Sequence, residues 1–199
     1  IVYPTIFDKP KKLTTIDNGT SPKDYFVQNN ILYKGKATVK NGKFSYTFVV
    51  PKDINYEISK GKISYYTDNT LEDGNGYDNN IFIGGSSTNP IVDNIGPLIK
   101  PYLNNDKFVN GGLTTKNSTL LLKLSDDNGI NYTGNSIGHD ITATLDGNAQ
   151  TTYVLNNFFE AEIDDYRSGT IKFPLSNLSE GPHTLQIKAW DISNNSSET

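Results

Sequence analysis

Short runs of alternating apolar and polar residues, divided by Gly, Asn, Asp and Pro, recur along all 199 residues, and no apolar stripe of helical period interrupts them. Side chains in a strand point alternately to opposite faces, so period-two sequence predicts half-buried sheet. The sharpest local signal is Asn41-Gly42, between Ile31-Leu-Tyr-Lys-Gly-Lys-Ala-Thr-Val39 and Lys43-Phe-Ser-Tyr-Thr-Phe-Val-Val50. Asn-Gly accepts the positive φ angles of a two-residue hairpin turn. Phe44, Tyr46 and Phe48 alternate with Ser45 and Thr47, which predicts a strand with one buried aromatic face, ended at Pro51 because proline cannot donate to a ladder. Lys62-Ile-Ser-Tyr-Tyr-Thr67 predicts another strand, followed by a polar loop from Asp68 to Asn80 and the short run Ile81-Phe82-Ile83.

Small, polar, proline-containing sequence from Ser86 to Asn94 reads as a linker, and Asp93-Asn-Ile-Gly-Pro97 as punctuation between two domains. Beyond it the strand pattern starts afresh. Leu98 to Leu103 contains Pro101 and therefore belongs at a sheet edge. Thr119-Leu-Leu-Leu-Lys-Leu124 reads as a buried strand. Ile141, Ala143 and Leu145 alternate in one strand, and Leu185, Ile187 and Ala189 in another. Trp190 falls on the polar phase of that last strand, which places it at a strand end against the linker or returns it to the core through a bulge. Five or six short strands per half fit sandwiches better than one barrel. The expected fold is all-β: two tandem immunoglobulin-like β-sandwich domains, residues 1–95, with opening strands that a truncation could have removed, and residues 96–199.

Composition removes several function classes. Eighteen basic against 22 acidic residues, without a basic stripe, argue against a nucleic-acid partner, whose phosphates need clustered Lys and Arg. Cysteine is absent, so disulfides, thiolate metal sites and a cysteine nucleophile are impossible within these residues. No apolar run approaches the roughly 20 residues of a spanning helix. The lack of Met and the opening on Ile1-Val2-Tyr3 read as a piece of a longer chain, and the Tyr-, Asn-, Thr- and Gly-rich texture as an exported β protein.

Candidate chemistry is sparse. No Gly-x-Ser-x-Gly elbow accompanies the two histidines, His139 and His183, and both are expected to hydrogen-bond neighbouring backbone at sheet ends. The polar loop carries Asp68, Glu72, Asp73, Asn75 and Asp78, oxygen ligands of the kind a hard Ca²⁺ ion takes, although their spacing is not that of an EF-hand. Solvated turn sequence is the competing reading. Asp126-Asp-Asn-Gly129 is a second acidic candidate and reads first as a turn. Tyr65, Tyr66 and Tyr77 offer stacking faces for a sugar, but adjacent Tyr65 and Tyr66 must face opposite ways. The Asn117-Ser-Thr119 sequon is read as a chance occurrence in an Asn-rich chain.

A series of motifs then occurs in a familiar order: Tyr3-Pro-Thr-Ile-Phe-Asp-Lys9, Tyr33-Lys-Gly-Lys-Ala-Thr-Val39, Gly42-Lys-Phe44, Val50-Pro-Lys-Asp-Ile-Asn-Tyr56 and Gly61-Lys-Ile-Ser-Tyr-Tyr66. It continues through Ile83-Gly-Gly85, Asp93-Asn-Ile-Gly-Pro97, Asp127-Asn-Gly-Ile-Asn131, Ile137-Gly-His-Asp-Ile141, Leu145-Asp-Gly147 and Val154-Leu-Asn156. Leu178 through Leu185, Lys188-Ala-Trp-Asp191 and Asn194-Asn-Ser196 complete it. Together they resemble the PorU family, the gingipain-type cysteine endopeptidases that act as sortases of the Bacteroidota type IX secretion system. The overlap lies C-terminal to the peptidase domain, so no catalytic residue carries over and His139 is not the catalytic histidine.

The resemblance implies a parent at the outer-membrane cell surface that removes C-terminal secretion signals from exported cargo and helps attach it there. The implied partners of this piece are the upstream peptidase domain, attachment-complex proteins or cargo signal domains. No cofactor other than Ca²⁺ is expected.

Overall fold

The computed structural model describes residues 1–134 and 138–199, so Ile137, which opens the Ile137–Ile141 motif, lies outside the described residues. The chain is all-β, with two three-residue 3-10 turns among the described residues, at Ala149–Thr151 and Asn156–Phe158. Among the described residues no helix is long and apolar enough to cross a membrane.

The first half holds β1 (Val2–Phe7), β2 (Lys11–Thr14), β3 (Asp24–Val27), β4 (Ile31–Lys34), β5 (Ser59–Lys60), β6 (Lys62–Asp68), β7 (Asp73–Asp78) and β8 (Phe82–Ile83). One antiparallel sheet runs β4-β1-β6-β7, while β2-β3 and β5-β8 form separate ribbons. Its inner face is covered by the irregular stretch between β4 and β5. Ile6, Leu32 and Tyr33 form a small core, against which Tyr46, Phe48, Ile54 and Ile83 pack.

Asn41 and Gly42 take φ angles of 52° and 72°, and Lys40 and Lys43 exchange backbone hydrogen bonds of 2.9 and 3.0 Å, so the predicted turn forms. The predicted strand over residues 43–50 does not. Its would-be partner is taken: Ala37 pairs with Val2, and Thr38 with Asp164 of the second half. The aromatic face survives without a ladder, because Tyr33 stacks on Phe48 at 4.6 Å and on Tyr46 at 5.9 Å.

The second half holds β9 (Leu98–Leu103), β10 (Ser118–Ser125), β11 (Ile130–Asn131), β12 (Thr142–Leu145), β13 (Thr152–Val154), β14 (Phe159–Ala161), β15 (Ser168–Leu175), β16 (Leu185–Asp191) and β17 (Ser196–Glu198). Two sheets, β14-β15-β10-β9 and β11-β16-β12-β13 with β17 beside β16, close on one core. Leu120, Leu122 and Leu124 point into it from one sheet, and Ile141, Ala143, Ile187 and Ala189 meet them from the other. β9 with its Pro101 is an edge strand, as predicted. Trp190 stays on the outer phase of an unbulged β16, where His139 covers it at 4.2 Å and the Lys188 ammonium lies 5.0 Å above it.

The halves are joined along the β4 edge. The Tyr132 hydroxyl donates to the Lys34 carbonyl and accepts from the Lys34 N–H, both at 2.7 Å. Asp164 N–H donates to the Lys36 carbonyl at 2.9 Å, and Lys52 N–H to the Ile192 carbonyl at 3.0 Å. Gly96 is required at the crossover, since a Cβ there would lie 2.5 Å from the Ser196 backbone.

Candidate functional site

The expected loop of residues 68–80 is a β-hairpin, and its register places the acidic residues. Asn69 closes the turn: its side-chain oxygen accepts from the N–H groups of Leu71 and Glu72, and Thr70 takes a φ of 72°. Asp68 and Asp73 stand directly opposite each other, Asn75 opposite Tyr66, and Asp78 opposite Ile63. Alternation puts Asp73 and Asn75 on the outer face of the sheet and Asp78 on the other. At about 3.3 Å per residue, Asp78 lies roughly 17 Å along the strand from Asp73. The hairpin therefore brings together Asp68 and Asp73, with Glu72 in the adjoining turn, but separates Asp78 from them.

The carboxylates that do converge come from three distant points in the chain. Asp93 of the linker, Asp126 of the β10–β11 turn and Asp191 at the end of β16 each offer an oxygen within 4.8 Å of the others. Asp191 is fully buried. Its two oxygens accept from Ser193 N–H at 2.8 Å, Asn195 N–H at 2.7 Å and the Asn195 amide at 2.7 Å. Asp126 accepts from the N–H groups of Asn128 and Gly129 at 2.8 and 3.0 Å. Asp93 accepts from Ile95 N–H at 3.1 Å and from the Asn128 amide at 2.8 Å.

Burial pushes the carboxyls of Asp126 and Asp191 up, and each is pushed further by like charge from Asp93. The Ile95 N–H and the Asn128 amide hold Asp93 below the usual carboxylate range. An all-oxygen donor set of this kind suits a hard cation rather than a soft one. As hydrogen-bonded in the chain, it ties the linker to two turns of the second sandwich. The sequence reading found Asp126 as a weak candidate and missed Asp93 and Asp191 as its companions, since nothing in their spacing relates them.

Neither histidine is set up for nucleophilic catalysis. His139 Nδ1 lies 2.8 Å from Asp53 Oδ2, a carboxylate that also accepts from Asn131 at 2.9 Å and from Asn194 at 2.8 Å. Asp53 belongs to the first half and these three partners to the second, so the cluster is an inter-half joint. The expectation of a backbone partner for His139 is replaced by this carboxylate. His183 does meet backbone: Nε2 is 2.9 Å from the Ser179 carbonyl, and Nδ1 is 2.8 Å from Asp146. The Ser179 carbonyl and Asp146 together raise the His183 pKa. With a carbonyl held at Nε2, the ring donates there and cannot serve as base toward the Ser179 hydroxyl, 3.3 Å away.

Three tyrosines line up on the outer face of the first sheet. Tyr3 pairs with Tyr66 across β1 and β6, their rings 6.1 Å apart, and Tyr77 follows one row on. Tyr66 and Tyr77 are 45% and 74% exposed, whereas Tyr65 turns inward to Tyr46 and Phe44. Tyr3, Thr5, Lys34, Ser64, Tyr66 and Asp68 line a shallow, open cavity of about 410 Å³ on this face.

No protein-family model matches the chain, and no curated protein matches it. A solved structure does: dimeric latent PorU from Porphyromonas gingivalis, at 36% sequence identity and a TM-score of 0.53. The match covers 100% of this chain and 19% of that one. Along its whole length the chain is therefore similar to a portion of PorU, and the resemblance drawn from its ordered motifs stands.

Proposed function

We propose that this chain is a non-catalytic structural and interaction module from the C-terminal part of a PorU-like cysteine endopeptidase at the cell surface. The observation that carries the reading is the whole-chain similarity to part of PorU at 36% identity, in residues that contain no cysteine. On this reading the parent removes C-terminal secretion signals from type IX cargo and helps attach that cargo to the outer membrane, with its nucleophile in the upstream peptidase domain. The module positions that domain and engages attachment-complex proteins or cargo signal domains. Its extensive inter-half bonding suits a rigid spacer. Pull-down with the chain as bait tests the interaction part, and capture of neither class of protein removes it.

A second reading, an adhesin-like or carbohydrate-binding module, is favoured by one observation: Tyr3, Tyr66 and Tyr77 share an exposed sheet face beside a shallow cavity. Rings presented this way can stack on sugar faces. Glycan-array binding that is lost on Tyr66→Ala or Tyr77→Ala would promote it.

A further inference from the structure

The two edges of the first sheet are treated differently. At β4 and the residues that follow it, backbone groups of Lys34, Lys36 and Thr38 are taken up by Tyr132 and Asp164 of the second half. At β7, no described element pairs with the outer side. Its ladder can be phased from the neighbouring bonds. Val2 exchanges hydrogen bonds with Ala37, so in the alternating antiparallel pattern Tyr66 and Ser64 bond toward β1, and Thr67, Tyr65 and Ile63 bond toward β7. The partners of those three are Gly74, Gly76 and Asp78. The N–H and C=O groups of Asp73, Asn75 and Tyr77 consequently point outward along the open edge. The turn bond from Asn69 N–H to the Glu72 carbonyl at 3.1 Å requires the same phase.

Natural edge strands are normally guarded by Lys, Pro, a bulge or a covering element. β7 has no Lys, no Pro and no register shift. Its two glycines leave the strand without side chains at alternate positions, and a Cβ at Gly76 would meet nothing within 4 Å. Glycine within a strand often marks close approach by another backbone.

Charge identifies what approaches. From Ile63 to Ile99 there is no Lys or Arg, while Asp68, Glu72, Asp73, Asp78 and Asp93 all fall in that span. Asp68 and Asp73 face each other directly, a like-charge pairing that destabilises a hairpin unless a cation is supplied. The carboxylates of Asp73 and Asp68 contribute to the raised pKa of the Tyr66 phenol, after desolvation. Of the two lysines on this face, Lys34 is on the far edge strand and Lys62 lies over the Phe7 ring at 4.4 Å.

We propose that the β7 edge is a docking site for an extended, Lys- or Arg-bearing segment of a partner protein, added as a further antiparallel or parallel strand. Its backbone pairs with Asp73, Asn75 and Tyr77, and its alternate cationic side chains reach Asp73, Asp68 and the rings of Tyr77 and Tyr66. The inference deepens the interaction reading and rests on it, adding the surface and the chemistry of the partner.

The probe is a capped Lys-Thr-Lys-Thr-Lys-Thr-Lys peptide, about as long as β7, with its Glu-for-Lys counterpart as control. Amide hydrogen exchange by NMR on the chain should show protection gained at Asp73, Asn75 and Tyr77, with Gly74, Gly76 and Asp78 unchanged. The Glu peptide should give neither protection nor binding. Asn75→Pro removes an outward donor while keeping the β6 pairing, and should weaken the Lys peptide by about tenfold or more. Asp73→Lys should do the same through charge, and it carries the test if Asn75→Pro does not fold.

Equal binding of the Glu peptide, absence of edge protection, or full affinity in a folded Asn75→Pro chain would overturn the proposal. Glycan binding through Tyr66 with no edge protection would also overturn it, in favour of the sugar reading. These outcomes are separable from failure of the module reading, because a chain that captures attachment proteins through another surface leaves the edge amides unprotected.

Discussion

The two halves of the molecule spend similar lengths of β-rich sequence on very different interiors. In the second half, two sheets press on one contiguous core in which Leu120, Leu122, Ile141, Ile171 and Ile187 are at most 1% exposed. In the first, a small cluster of buried side chains, Ile6, Leu32 and Tyr33, and a stack of partly exposed rings lie between one sheet and an irregular covering segment. The difference teaches that a sheet with a thin core can be held by its edge: Lys34 at the end of β4 is bonded into the second half through Tyr132, and Lys36 just beyond it through Asp164 and Glu160. The second half acts as the platform, and the first half leans on it.

The strongest way to break this comparison is to damage the platform. Leu122→Ala, at a fully buried site, should cost about 3 kcal/mol or more, with both halves unfolding together in urea. If the first half kept its own transition at unchanged denaturant, its dependence on the platform would be refuted.

Tyr132→Phe attacks the joint and leaves the core intact. It leaves the Lys34 N–H and carbonyl without their 2.7 Å partner, at a cost of about 1–3 kcal/mol. Hydrogen exchange should rise in β4 and β1 before it rises in β10. A uniform rise would mean that the halves do not open separately.

Asp126→Asn sharpens the picture at the linker. The substitution keeps an oxygen for the Asn128 and Gly129 N–H groups and removes one of three clustered charges. Because the folded-state pKa of Asp126 is raised, the unfolded chain binds fewer protons between the two pKa values, so its contribution is full at low pH and is lost as pH rises through the folded pKa. The variant should accordingly equal or exceed wild type in stability at pH 7, with the gap closing as the pH falls. Lower stability of the variant at pH 7 in chelator would contradict the charge-repulsion account.

The smallest effect is expected at Lys36→Ala, which removes the 2.8 Å pair with Glu160 across the halves. Glu160 is largely exposed, so denaturation should shift by only a few tenths of a kcal/mol. A shift above about 1 kcal/mol would make this pair part of the joint.

Legibility followed the apolar content of each element. Ile141 with Ala143 was readable because strict alternation has only one way to bury its apolar half, and Thr119–Leu124 because a nearly unbroken apolar run reads as a buried strand. β7 was not readable as a strand: Asp73-Gly-Asn-Gly-Tyr-Asp78 has no buried face, and its conformation comes from pairing with β6. Residues 43–50 differ in the other direction: strand-like alternation is present, but Ala37 and Thr38 across the turn are already bonded to Val2 and Asp164. The site residues divide similarly. Asp68, Glu72 and Asp73 are neighbours in sequence and remain near one hairpin end, whereas Asp93, Asp126 and Asp191 meet only because the linker crosses two turns of the second sandwich.

By itself the sequence determined the all-β class, the aromatic and aliphatic faces of most strands, the absence of a cysteine nucleophile and the likeness to PorU. Each of these depends on local periodicity, composition or ordered motifs. Only the tertiary structure decided which edge is covered and which is open, that His139 serves an inter-half joint with Asp53, and that three distant aspartates converge. Those outcomes depend on which backbone groups find partners far along the chain, and long-range hydrogen bonding leaves no period in a sequence to read.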